Sequence, residues 1–119
     1  AKPGINWASF TLTSDITHMV SQHWFPAMPW EDPDAYWSRS PLSLVGNVST
    51  PTALLTGEED FRTPMPESEQ LYQALKVRKI DTALIRIPEA SHGIAARPSQ
   101  LIAKVDNILA WFARYPAAN

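Results

Sequence analysis

Two short apolar runs and two amphipathic stretches dominate the hydrophobic pattern in the second half of the chain. The runs at residues 52–57 and 82–88 are too short for helices and lie between turn-forming residues, which favours buried strands. Residues 65–78 follow a proline-rich start and repeat apolar side chains at helical spacing, so they predict a helix. Residues 99–114 carry a longer apolar stripe, which predicts a C-terminal helix.

The order strand, helix, strand predicts how the two strands pair. The unit from Thr52 to Ile87 has the length that is typical of a right-handed βαβ crossover, in which the strands are parallel neighbours. We therefore predict an α/β fold. Asp60 follows the first strand and His92 follows the second. Both side chains should lie at the carboxyl edge of one sheet, where α/β proteins have their binding and catalytic residues.

The first half of the chain has weaker patterns. Residues 1–13 show no clean period and are expected to form a loop. The segment at residues 13–15 (TSD) offers helix-capping side chains, and the apolar positions after it predict a helix of about a dozen residues that ends before Pro26. Asp32 predicts the start of a second, short helix, with Pro33 at its first position.

Composition and charge narrow the classes of partner. Ten basic and twelve acidic side chains give a net charge of −2, so we expect neither nucleic acid nor a membrane as a partner. No apolar run approaches the roughly 18 to 20 residues of a membrane span. The chain has no cysteine, which excludes thiolate metal sites and a cysteine nucleophile. This fits a reducing compartment, and we expect a cytoplasmic protein.

Asp60 and His92 are the candidate chemical groups. A carboxylate that accepts the Nδ1 proton of an imidazole fixes its tautomer, so that Nε2 can take a proton from a hydroxyl nucleophile. A structural alternative stays open, because an aspartate after a strand often only caps a turn and a histidine before glycine often only fills one.

Five segments of the chain carry a family resemblance. They are residues 40–42 (SPL), 51–64 (PTALLTGEEDFRTP), 68–75 (SEQLYQAL), 91–93 (SHG) and 108–112 (ILAWF). Together they resemble the C-terminal part of the prolyl oligopeptidase family of serine peptidases, above all its acylaminoacyl peptidase and dipeptidyl peptidase branches. The resemblance implies the C-terminal portion of an α/β-hydrolase fold. It also implies that Asp60 is the acid and His92 the base of a catalytic triad.

The same resemblance implies substrate-binding residues. Arg62 corresponds to an arginine that binds a substrate carbonyl in some members, although it could instead be a surface residue that pairs with Glu58 or Glu59. Trp24 and Phe25 lie in a region whose aromatic residues line an apolar pocket in the family. Core or interface packing is the alternative for both of them.

The nucleophile is missing from the predicted triad. A nucleophile elbow requires Gly-x-Ser-x-Gly, and no two of the four glycines lie four positions apart. Because the family order is Ser, Asp, His, we expect residues 1–119 to be a C-terminal fragment of a single catalytic domain, inactive alone. We expect it to pair with the missing N-terminal part or with another copy of the chain.

The implied activity is the hydrolysis of peptide or acyl-peptide bonds, with no metal or cofactor. Two other functions stay open at this point. One is an esterase or another non-peptidase hydrolase of the same fold. The other is a non-catalytic module that acts in binding or assembly.

Overall fold

The computed structural model describes residues 14–25 and 27–116. The predicted loop over residues 1–13 lies outside them. In chain order the elements are α1 (Thr17–His23), α2 (Pro33–Trp37), a 3₁₀ helix (Pro41–Asn47), β1 (Thr52–Gly57), α3 (Met65–Val77), β2 (Thr82–Ile87) and α4 (Pro98–Arg114). The predicted strands and the two long helices are confirmed to within a residue at each end.

β1 and β2 form a parallel pair, as the length of the crossover predicted. Thr52 lies opposite Thr82, and Gly57 lies opposite Ile87 at the other end of the pair. α3 connects the two strands and packs against both of them. The carboxyl ends of β1 and β2 therefore meet at one edge of the sheet, and the turns that follow them are neighbours.

α3 ends in a turn that directs the chain into β2. The N–H of Lys79 donates to the carbonyl of Lys76 at 2.9 Å, and the N–H of Ile80 donates to the carbonyl of Leu75 at 3.0 Å. Lys79 has a φ of 61°, which is the left-handed conformation that this C-capping motif requires. Leu75 anchors the last turn of the helix, since its side chain is fully buried.

α1 and α2 enclose a small aromatic core. Val20, Phe25 and Tyr36 are its buried members. The Tyr36 hydroxyl donates to the carbonyl of Ala27 at 2.9 Å, which satisfies this polar group inside the cluster. The predicted cap of α2 is present, because the N–H of Ala35 donates to Oδ1 of Asp32 at 3.1 Å.

The prediction for α1 was wrong in length and in its cap. The helix has seven residues and begins at Thr17, and no side chain caps it. The side chains of Asp15 and Ser14 bind the turn after β1 instead, where the Asp15 carboxylate forms an ion pair with Arg62. The N–H of Asp15 donates to the carbonyl of Phe61 at 2.8 Å, and the Ser14 hydroxyl donates to the carbonyl of Arg62 at 2.6 Å.

α4 leaves most of its apolar stripe uncovered. A second core cluster of Ile87, Ala90 and Ile94 lies at the carboxyl end of β2, and Ala103 of α4 packs against it. The predicted stripe instead faces outward, and its side chains are 39–65% exposed: Leu101, Ile102, Val105, Ile108, Leu109 and Phe112. Among the described residues, no helix has the length and apolar character needed to cross a membrane.

Candidate active site

The turn after β1 is held against the end of β2 by main-chain hydrogen bonds. The N–H of Glu58 donates to the carbonyl of Ile87 at 3.0 Å, and the N–H of Glu59 donates to the carbonyl of Ala90 at 2.9 Å. These two bonds continue the pairing of the strands beyond Gly57. They fix the position of Asp60 relative to the turn that carries His92.

Gly57 allows the two turns to approach each other closely. A Cβ atom at this position would lie 2.1 Å from the carbonyl oxygen of Ala90 and 2.8 Å from that of Ser91. Contacts this short do not occur, so any side chain would push the backbone of the two turns apart. The glycine is therefore required where β1 enters the site.

The turn after β2 contains a strained residue that is anchored in the core. Ile94 has a φ of 47°, which is unusual for a β-branched side chain. Its side chain is buried beside Ala90 and Ile87, and its N–H donates to the carbonyl of Ser91 at 3.0 Å. Burial and the hydrogen bond offset the strain and hold the segment on both sides of His92.

The structure brings the two predicted chemical groups together. Nδ1 of His92 lies 2.9 Å from Oδ2 of Asp60. The Asp60 side chain is 5% exposed, whereas the His92 side chain is 58% exposed. The carboxylate is thus shielded from water, and the imidazole that it contacts is accessible at the carboxyl edge of the sheet.

Asp60 accepts further hydrogen bonds from residues just after it. Its Oδ1 accepts the N–H of Arg62 at 3.0 Å and the N–H of Thr63 at 2.8 Å, and its Oδ2 accepts the Thr63 hydroxyl at 2.9 Å. Burial opposes ionisation, but the hydrogen bonds from Thr63 and His92 outweigh it. The pKa of Asp60 therefore lies below its ordinary value of 3.8.

Thr63 is the site residue that the sequence analysis missed. Its hydroxyl oxygen also lies 3.2 Å from Nδ1 of His92. A weak signal was present, since a threonine three residues after an aspartate in a turn is well placed to donate to the carboxylate. The contact with His92 depends on the crossover and has no signal in the local sequence.

Arg62 has a different partner from the two that the sequence offered. Its Nε lies 3.1 Å from Oδ1 of Asp15, and neither Glu58 nor Glu59 forms an ion pair with it. Both side chains of this pair are about half exposed. The ion pair lies beside the two hydrogen bonds that Ser14 and Asp15 make to the same turn, so the segment before α1 is bound to the turn that carries Asp60.

Trp24 and Phe25 have different environments. The ring of Phe25 is buried and stacks on Tyr36, with ring centroids 3.9 Å apart, so it packs inside the aromatic core. Trp24 is 48% exposed and is the one of the two that a ligand can reach. Within residues 14–25 and 27–116, no group of three or more histidine, aspartate or glutamate side chains is arranged to hold a metal ion.

Comparison with known proteins identifies the family. The family model described as "Prolyl oligopeptidase family" matches residues 1–118. The chain belongs to the prolyl oligopeptidase family. An uncharacterized peptidase of Bacillus subtilis, YuxL, is 39% identical over 109 residues, which is 90% of this chain and 17% of the relative. The human acylamino-acid-releasing enzyme is 32% identical over 99 residues, or 78% of this chain and 14% of that enzyme.

Solved structures of family members show the same fold. An acylaminoacyl peptidase of Pyrococcus horikoshii superposes with a TM-score of 0.83 over 97% of this chain, at 24% identity. A puromycin-hydrolyzing peptidase of Mycobacterium tuberculosis superposes with a TM-score of 0.73 over 93% of the chain, also at 24% identity. The chain therefore has the predicted α/β-hydrolase architecture. It spans about a fifth or less of the length of these family members.

Proposed function

We propose that this chain supplies the acid and the base of a Ser-Asp-His triad in a serine peptidase that hydrolyses peptide or acyl-peptide bonds. The observation that carries the proposal is the contact of 2.9 Å between Nδ1 of His92 and Oδ2 of Asp60. A shielded carboxylate against an accessible imidazole is the arrangement that a general base of this class requires.

In the proposed reaction each group has a defined step. Asp60 accepts a hydrogen bond from Nδ1–H of His92, which leaves Nε2 free to accept the proton of a serine hydroxyl as its oxygen attacks the carbonyl carbon. The imidazolium then donates that proton to the leaving amine, and an acyl-enzyme remains. A water molecule then attacks the acyl-enzyme with His92 as its base, which releases the carboxylic acid product and regenerates the serine.

The serine comes, in our proposal, from sequence beyond these 119 residues. Gly-x-Ser-x-Gly does not occur in the chain, and family members are at least about five times as long. We propose that residues 1–119 are the C-terminal part of one catalytic domain. The exposed apolar stripe of α4 supports this, because a domain of this fold normally covers both faces of its sheet and helices.

The proposed substrate class rests on Arg62 and on the relatives. The curated relatives include acylamino-acid-releasing enzymes from Arabidopsis thaliana and from human. Arg62 lies two residues after the acid, and its planar guanidinium can donate to a carbonyl at the rim of the site. Trp24 is one of several exposed aromatic side chains, and we propose that it contacts an apolar group of the substrate. Phe25 would support this surface from within the core.

Substitution of the acid and the base in the complete enzyme tests the proposal. His92→Ala removes the base, and Asp60→Asn presents an amide to Nδ1 and favours the wrong tautomer. We expect each variant to lower kcat/KM for an acetyl-peptide anilide on the order of 10⁴-fold. His18→Ala and Asp106→Asn are matched controls on exposed positions of α1 and α4. They should leave turnover within about twofold.

Turnover that survives both Asp60→Asn and His92→Ala would contradict the triad and favour a binding or assembly module. A second measurement uses a serine-directed fluorophosphonate. The complete enzyme should be labelled, and the isolated 119-residue chain should not. Strong labelling of the isolated chain would show that its own serines suffice, which the proposal excludes.

A further inference from the structure

The Thr63 hydroxyl lies between the acid and the base. It is 2.9 Å from Oδ2 of Asp60 and 3.2 Å from Nδ1 of His92, and those two atoms are 2.9 Å apart. The three atoms therefore form a closed triangle. The proposed triad uses only one side of it, the contact between the carboxylate and the imidazole.

The two oxygens of Asp60 are held in different ways. Oδ1 accepts main-chain N–H groups of Arg62 and Thr63, which fix the carboxylate within its own turn. Oδ2 accepts the Thr63 hydroxyl and contacts the ring of His92. Among the described residues, Oδ1 thus accepts hydrogen bonds only from the main chain. Oδ2, which orients His92, instead contacts two side chains, those of Thr63 and His92.

We propose that Thr63 is a positioning residue for His92. Its O–H proton points to Oδ2 because that carboxylate oxygen cannot donate. A lone pair of the Thr63 oxygen then faces Nδ1 and gives the N–H of the imidazole a second acceptor. The hydroxyl holds Nδ1 against Oδ2 and favours the Nδ1–H tautomer. This inference rests on the proposed function of Asp60 and His92.

Thr63 is itself held in place, so the hydroxyl is oriented before substrate binds. Its N–H is engaged by Oδ1 of Asp60, and its β-branched side chain has few accessible rotamers. The next residue is Pro64, which begins the approach to α3 and restricts the backbone of Thr63 further. The Thr63 side chain therefore has less conformational freedom than a longer polar side chain would have at this position.

The test compares Thr63→Val with Thr63→Ser in the complete enzyme. Valine keeps the shape and removes the hydroxyl, so we expect kcat to fall roughly 10-fold with KM unchanged, since a hydrogen bond within a charged pair is lost. Serine should restore kcat to within about threefold. Thr82→Val is the matched control, because it removes a hydroxyl that donates to the carbonyl of Thr52 at the opposite end of the same strands.

A spectroscopic measurement separates positioning from loss of stability. The ¹⁵N shifts of the His92 ring should report the Nδ1–H tautomer in the native enzyme and in Thr63→Ser. In Thr63→Val they should move toward the average of the two tautomers. Unchanged kcat and unchanged ring shifts in Thr63→Val would overturn the inference, provided that Asp60→Asn abolishes turnover. If Asp60→Asn leaves turnover intact, the proposed function itself is wrong.

Discussion

The buried carboxylate of Asp60 links the site to the stability of the fold. Its pKa is depressed by hydrogen bonds from Thr63 and His92, which outweigh its burial. A group with a depressed pKa in the folded state stabilises that state above its unfolded pKa. The contribution is present above about pH 3.8 and is lost as the pH falls below this value toward the folded pKa. Asp60 should thus sensitise the protein to acid.

We expect the free energy of unfolding to fall with decreasing pH in this range for the native chain. Asp60→Asn should lack the part of this fall that comes from Asp60, because an amide does not titrate. Urea unfolding at a series of pH values between about 2.5 and 6 measures the difference. Asp106→Asn, on an exposed position of α4, should keep this part. Parallel curves for native chain and Asp60→Asn would show that this carboxylate contributes nothing.

The sequence predicted that Asp60 and His92 lie close together, but it did not predict their surroundings. Asp60 and His92 were predictable as neighbours, because each follows a strand and parallel strands end at one edge. The partner of Arg62 was not, since Asp15 is distant in sequence and reaches the turn only through the placement of α1. Thr63 has a local signal in its spacing from Asp60, but its contact with His92 spans two turns and could not be predicted from the sequence.

Among the elements, the junction between the two turns depends on Gly57. Gly57→Ala places a methyl group against the carbonyls of Ala90 and Ser91. We expect it to cost about 1–3 kcal/mol of unfolding free energy, because the backbone carbonyls cannot move away without breaking the bonds that join the turns. Denaturant unfolding measures this cost. Gly46→Ala is the control, since no atom lies within 4 Å of the added methyl, and it should change stability by less than about 0.5 kcal/mol.

An alanine that is tolerated equally at Gly57 and Gly46 would contradict the close approach of the turns. In the complete enzyme, Gly57→Ala should also lower kcat, because a separation of the turns lengthens the contact between Asp60 and His92. The control at Gly46 lies in the 3₁₀ helix and should leave kcat unchanged.

The elements that the sequence predicted well are those whose ends are set by residues close to them in the chain. β1 lies between Pro51 and Gly57, and α3 begins at a proline pair and ends in basic residues, so their limits follow from backbone chemistry. α1 was predicted too long because Ser14 and Asp15 have capping side chains. Their side chains instead bind the turn after β1, since the Asp15 carboxylate pairs with Arg62 and the Ser14 hydroxyl donates to the carbonyl of Arg62. These tertiary contacts override the local preference.

At the scale of the whole molecule, the exposed stripe of α4 is the largest departure from a self-contained fold. The sequence predicted the stripe but not its direction. The groove over the sheet is bordered on the α4 side by Asn107, Ile108, Trp111 and Phe112. Phe112 is nevertheless 65% exposed, and Ile102 and Leu109 are at least 60% exposed. Within the described residues the sheet has two strands, so both of its edges are open as well. Apolar faces and open edges of this kind favour association.

We therefore expect the isolated 119-residue chain to self-associate, and to stop doing so when the proposed N-terminal part of the domain is supplied. Leu109→Lys combined with Phe112→Lys places two charges in the stripe and should shift sedimentation toward a monomer of 13.3 kDa. Ser99→Lys with Ala110→Lys is the matched control, because both residues are exposed on α4 and lie on the side of the helix away from the stripe. This control adds the same charge and should leave association unchanged. A native chain that sediments as a stable monomer would show that the uncovered stripe of α4 does not drive association.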